Sequence, residues 1–97
     1  MKHTEFLTLN IDVEEKDLDF SLARRLADNL VSDSISEPML IAWYDGKKGE
    51  EHPHVPECQH EPGWLAYAEG HGGRVRIDVN KTEYSFIYAD VDAPSVP

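Results

Sequence analysis

From Phe6 to Val13 apolar side chains fall on every second position: Leu7, Leu9, Ile11 and Val13 alternate with Thr8, Asn10 and Asp12. A period of two predicts a β-strand with one buried face. Glu14, Glu15, Lys16 and Asp17 interrupt it, in the place where a helix N-terminus favours negative charge. Asp17 or Asp19 can cap that helix by accepting an orphaned backbone N–H. Leu22, Ala23, Leu26, Ala27, Leu30 and Val31 then recur at helical intervals, while Arg24, Arg25 and Asp28 fall off the stripe. The helix is expected to end near Val31, and Pro38 closes the polar segment behind it.

Met39 to Tyr44 is short and almost wholly apolar, and Asp45-Gly46 follows as a turn pair. That run predicts a strand buried on both faces. The helix can roof one of them; a curl of the sheet, the long loop behind it or a second copy of the chain would have to cover the other. Further on, Trp64 to Glu69, Arg74 to Asn80 and Thr82 to Ala89 are each strand-length. The middle run alternates, with Val75, Ile77 and Val79 opposite Arg74, Arg76 and Asp78, and Gly70-His71-Gly72-Gly73 marks the first reversal. These runs predict a three-stranded antiparallel meander. The expected fold is α+β: a mainly antiparallel sheet of about five strands, in the order β-α-β-long loop-β-β-β, with one helix packed on one face. Residues 1–89 would form one domain and residues 90–97 a flexible tail.

Charge narrows the partners. Nineteen acidic residues against nine basic ones give a formal charge of −10. Such a surface repels phosphate backbones and anionic lipid, which argues against nucleic-acid and membrane-surface binding. Cys58 is the single cysteine, so no internal disulfide can form. No run approaches the roughly 20 apolar residues that span a bilayer. The expectation is a soluble, cytoplasmic protein.

Candidate chemistry is concentrated in Gly46 to Pro62, a segment without periodicity and long for a connection inside a small domain. It holds His52-Pro53-His54-Val55-Pro56-Glu57-Cys58-Gln59-His60-Glu61. Imidazole nitrogen and thiolate sulfur suit zinc and similar transition metals, which makes His52, His54, Cys58 and His60 candidate ligands, with Glu51, Glu57 and Glu61 able to complete or compete with the set. The spacing matches no finger or ribbon, and solvated loop side chains are the plainer reading. Cys58 is also a candidate thiol nucleophile, since an imidazolium beside it would raise the thiolate fraction. His71 is expected to lie apart, because a strand from Trp64 to Glu69 would carry the reversal roughly 20 Å from Pro62. Asp45, Asn80 and Lys81 are expected nearer the loop.

Trp43, Tyr44, Trp64, Tyr67, Tyr84, Phe86 and Tyr88 make the sheet rich in aromatics. They are core and cross-strand packing, or, on the face away from the helix, a surface for a partner. A homodimer through that face or a sheet edge follows from the second reading.

Met39-Leu-Ile-Ala-Trp-Tyr-Asp45, the Pro-His-Val-Pro-Glu-Cys run ending at Cys58, Pro62-Gly-Trp-Leu-Ala-Tyr-Ala-Glu69 and Gly72-Gly-Arg-Val-Arg-Ile-Asp-Val79 together resemble a family of small α+β microbial proteins of unknown function. The resemblance reaches to about Ala89 and implies no activity, cofactor or site. Three functional readings follow from the residues. The first is a non-enzymatic binding or assembly module with an unidentified protein or small-molecule partner. The second is a metal-binding protein using the histidine and cysteine loop, and the third a thiol enzyme using Cys58.

Overall fold

The computed structural model describes residues 6–55 and 61–91. Its elements run β1 (Leu7–Ile11), α1 (Phe20–Val31), β2 (Pro38–Asp45), β3 (Glu50–His52), α2 (Gly63–Gly70), β4 (Val75–Val79) and β5 (Tyr84–Asp90). The strands form one sheet in the order β1-β4-β5-β2-β3. β1 pairs with β4 in parallel, and every other neighbouring pair is antiparallel. The fold is α+β with a five-stranded, mostly antiparallel sheet.

Leu9 and Ile11 of β1 and the helical stripe of α1 face the core as their periods require, while Leu7 at the start of β1 is exposed. Asp19 caps α1, its side chain accepting the Leu22 N–H at 2.9 Å. Ala23, Ala27 and Val31 are fully buried, and the small alanines bring α1 close against Val75, Ile77, Val79, Tyr84, Phe86 and Tyr88. Phe20 closes one end of this core, 4.7 Å from the Trp43 ring and 5.4 Å from that of Phe86.

Trp64 to Glu69 is not a strand. The segment lies within α2, so the sheet has a helix on each face rather than one helix on one face. The run does not alternate; Leu65, Ala66, Ala68 and Glu69 favour helix, and Trp64 and Ala68, four apart, are the buried pair facing the sheet. They pack with Ala42 and Ile87 in a second core. α2 thus supplies the cover that the second face of β2 needs. The β4–β5 hairpin stands as expected, turning through Asn80 and Lys81 at positive φ.

The long loop is also shorter than its composition suggests. Asp45 accepts the N–H groups of Lys47 (3.0 Å) and Lys48 (3.2 Å), and Gly49, at φ +68°, donates its N–H to the Asp45 carbonyl at 2.8 Å. This turn returns the chain into β3 along the edge of β2.

Candidate functional site

The histidine and cysteine loop begins at β3. His52 pairs with Trp43 across the strands and stacks on its ring at 5.9 Å, and His54 is exposed. Cys58 and His60 lie outside the described residues, so the four-ligand set and the thiol reading rest on the sequence for those two positions. Among the described residues no three His, Cys, Asp or Glu side chains gather into a metal-holding group. The basis for setting His71 apart changes, because a helix rises about 1.5 Å per residue and spans about 13 Å from Pro62 to His71. His71 stacks on Tyr67 at 3.9 Å, with Nδ1 2.8 Å from the Tyr67 carbonyl oxygen.

Asp45 and the β4–β5 turn do share one end of the sheet: Asp45 is the partner of Tyr84, and the Gly46 N–H donates to the Glu83 carbonyl at 2.7 Å. A depression of about 320 Å³ opens there between the start of α1 and Lys47. Asp19, Asp45 and Lys47 on its wall are engaged. Asp45 is held by its turn, and Lys47 reaches Glu83 at 3.2 Å and the Leu18 carbonyl at 3.2 Å. The Glu83 contact raises the Lys47 pKa. Asn80 spends its amide on the Val13 backbone, at 2.7 and 3.2 Å.

The aromatic residues are packing. Tyr84, Phe86 and Tyr88 are buried under α1; Tyr44 of β2 and Trp64 of α2 stack at 5.7 Å between that helix and the sheet. The large apolar side chains exposed among the described residues are Leu7, Met39 and Val91, none of them aromatic.

The unspent polar groups lie elsewhere, on the α2 face. α2 is two turns long and sits over β2 and Ile87. On the same face, Thr8 and Asn10 of β1 stand opposite Arg76 and Asp78 of β4, and both β1 side chains are exposed. Asp78 is 7% exposed, and one oxygen, Oδ1, accepts both the Ser85 hydroxyl at 2.7 Å and Arg76 Nε at 2.9 Å. Oδ2 has no partner among the described residues and, since no buried side-chain oxygen is left unpaired there, it meets solvent. Arg76 lies 5.7 Å from the centre of the Trp64 ring, and its two Nη groups have no partner among the described residues. Arg76 packs against the Trp64 ring, which itself stacks on Tyr44, and its terminal donors lie beside the solvent-facing carboxylate oxygen as a polar shelf. In the sequence Arg76 and Asp78 show only the polar, outward side of an alternating strand. The signal for this group was Ser85, a lone hydroxyl inside Tyr-Ser-Phe-Ile-Tyr, which needs a buried partner.

A two-helix α+β domain with one parallel strand pair at the sheet's rim is the class these features define. The chain belongs to the family DUF5619, a domain of unknown function, whose family model matches residues 6–88. A crystal structure described as that of a novel protein, AF1514 from Archeoglobus fulgidus DSM 4304, is similar in fold. Its TM-score is 0.76 at 24% identity, over 92% of this chain and 100% of that one. No curated protein matches the sequence. No helix among the described residues is long and apolar enough to cross a membrane.

Proposed function

We propose that this protein is a non-enzymatic binding module that holds a small polar molecule on the shelf between Arg76 and Asp78. The observation that carries the reading is the division of the Asp78 carboxylate: one oxygen is tied to Ser85 and Arg76 and the other is left free in a side chain nine-tenths buried. Solvent bonds that oxygen in the free protein, and a ligand N–H can take the water's place. The free edge offers acceptor and donor functions side by side, and the ion pair makes the shelf locally neutral. With −10 on the whole chain, free anions are repelled. The ligand that fits is zwitterionic or amide-bearing, with an N–H for Asp78 Oδ2 and an oxygen for the Arg76 Nη pair.

Thermal unfolding against free amino acids, primary amides, dicarboxylates and diamines tests this. An amino acid or amide present at about 100 times its Kd should add about 2.7 kcal/mol of stability. Arg76→Lys keeps the charge but loses the planar donor pair, and should abolish the gain. Stabilisation by dicarboxylates or diamines alone, or an unchanged gain in Arg76→Lys, would remove the proposal.

A second reading keeps zinc or a similar metal at His52, His54, Cys58 and His60. It is supported by His52 and His54, both exposed and with ring nitrogens bonded to no described residue. Metal analysis of protein purified without a histidine tag should then give about one equivalent, lost on Cys58→Ala. A metal content unaffected by Cys58→Ala counts against it.

A further inference from the structure

We infer that two copies of this chain join edge to edge along β1, antiparallel, about a twofold axis through Leu9, making one continuous ten-stranded sheet. Backbone polarity sets this geometry. The Leu7 N–H donates to the Arg74 carbonyl at 2.9 Å and the Asn80 N–H donates to the Ile11 carbonyl at 2.8 Å, so the odd residues of β1 bond inward to β4. Thr8 and Asn10 therefore turn their N–H and C=O groups outward, and no described element pairs with them.

The two rims of the sheet differ. β3 is three residues long, carries Glu50 and Glu51, and is followed by Pro53, all features that blunt an edge. β1 is Leu-Thr-Leu-Asn-Ile, with no charge, proline or glycine, and Leu7 is 55% exposed. An open, uncharged edge of this kind is a template for another strand.

The occupant is a second copy because the strand is complementary to itself. Antiparallel pairing centred on Leu9 matches all five residues, sets each Thr8 in a hydrogen-bonded pair with the partner's Asn10, and sets Leu9 against the partner's Leu9 in a non-hydrogen-bonded pair, where side chains come closest. A shift by one residue would put outward-facing groups opposite inward-facing ones. The same register places Leu7 opposite the partner's Ile11. Ile11, Val13, Leu26 and Leu30 line an apolar depression of about 410 Å³ between β1 and α1, so the most exposed apolar side chain of one edge arrives beside the open apolar groove of the other.

On the opposite face the partner completes the shelf. Asp78, Asn10, the partner's Thr8 and the partner's Arg76 fall in one row across the joined edges, and the two half-open faces become a single polar floor with an α2 helix on either side. The pairing stands whether or not the shelf binds a ligand. It works against the repulsion of two chains at −10 each, while the edge itself is uncharged, so salt should strengthen it.

Light scattering on the full chain should give twice the 11.0 kDa chain mass, with a dissociation constant that falls about tenfold between about 0.02 and 0.5 M NaCl. Leu7→Lys should raise that constant at least about tenfold while circular dichroism stays native, since the side chain it replaces is exposed. In a Cys58→Ser background, Leu9→Cys should oxidise to a disulfide-linked dimer, whereas Ser32→Cys, on the exposed C-cap of α1, should not. A single-chain mass at about 1 mM in high salt, a dimer indifferent to Leu7→Lys, or equal oxidation of the two cysteine variants would each overturn the pairing. Leu7→Lys leaves Arg76 and Asp78 in place, so the ligand measurement can fail or succeed separately.

Discussion

Above about pH 10 the protein is expected to lose stability by up to about 1.4 kcal/mol per pH unit through Tyr88, with Tyr84 acting in the same direction. Tyr88 is 2% exposed and donates its hydroxyl to Asp28 Oδ1 at 2.6 Å. Burial pushes its pKa well above the ordinary value of 10.0, and the hydrogen bond and negative charge of Asp28 push the same way, against a smaller pull from Arg24. Burial also raises Tyr84, opposed by Lys47 and aided by Asp45, Glu83 and Asp19. The sign follows from proton counting. Both phenols keep their protons in the folded state at pH values where the unfolded chain releases them, so unfolding releases protons and rising pH favours it. Their contribution is complete below about pH 10 and is lost as the pH climbs towards the folded-state values. Lys47, also raised, acts in the same direction but is half exposed and screened. Urea midpoints measured from pH 8 to 11.5 should fall steeply over the upper part of that range. Tyr88→Phe should cost about 1 kcal/mol at neutral pH and flatten the alkaline slope. A wild-type profile as flat at pH 11 as at pH 8 would mean that the phenols are not shielded as the Asp28 contact requires.

Tyr88 was legible in the sequence only as one more aromatic in a strand, and the same holds for most of the fold's detail. Elements carried by a long, clean period could be read: Leu9 and Ile11 in β1, the stripe from Leu22 to Val31 in α1, and the alternation of Val75, Ile77 and Val79 in β4 sit in the structure as patterned, while Leu7 at the start of β1 is exposed. α2 could not. Eight residues make two turns, too few for the period to separate helix from strand, and Trp64 and Tyr67 tilted the reading towards strand. The decisive signal was the four-residue spacing of Trp64 and Ala68, which gives no weight to aromatic content. The parallel pairing of β1 with β4 joins residues more than sixty positions apart, and no local pattern announces it. The candidate site divided in the same way. Reactive side chains crowded into residues 52–60 drew attention as a cluster in sequence, whereas Arg76, Asp78 and Ser85 become a group only when β5 lies beside β4 and α2 brings Trp64 over them.

The side chain joining that helix to that site is Trp64, and Trp64→Ala is expected to cost about 3–5 kcal/mol. The indole is 5% exposed, lies nearly parallel to Tyr44 at 5.7 Å, and has the Arg76 guanidinium 5.7 Å from its ring. Its core partners Ala42 and Ala68 are too small to move into the space it leaves. In a chain of this size each kcal/mol shifts Tm by about 4–8 °C, so a fall of about 12–40 °C is expected, readable by calorimetry or by denaturant midpoint. Trp64→Phe retains the stack on Tyr44 and should lose less than half as much. The pair of variants also separates the two roles of the indole. If Arg76 is held for binding by the ring beneath it, Trp64→Phe should remain folded yet bind the shelf ligand more weakly, because a smaller π-face fixes the guanidinium less well. If Trp64 serves only as core, affinity in Trp64→Phe should equal that of the wild type, and the loss of stability in Trp64→Ala should be the whole of its effect.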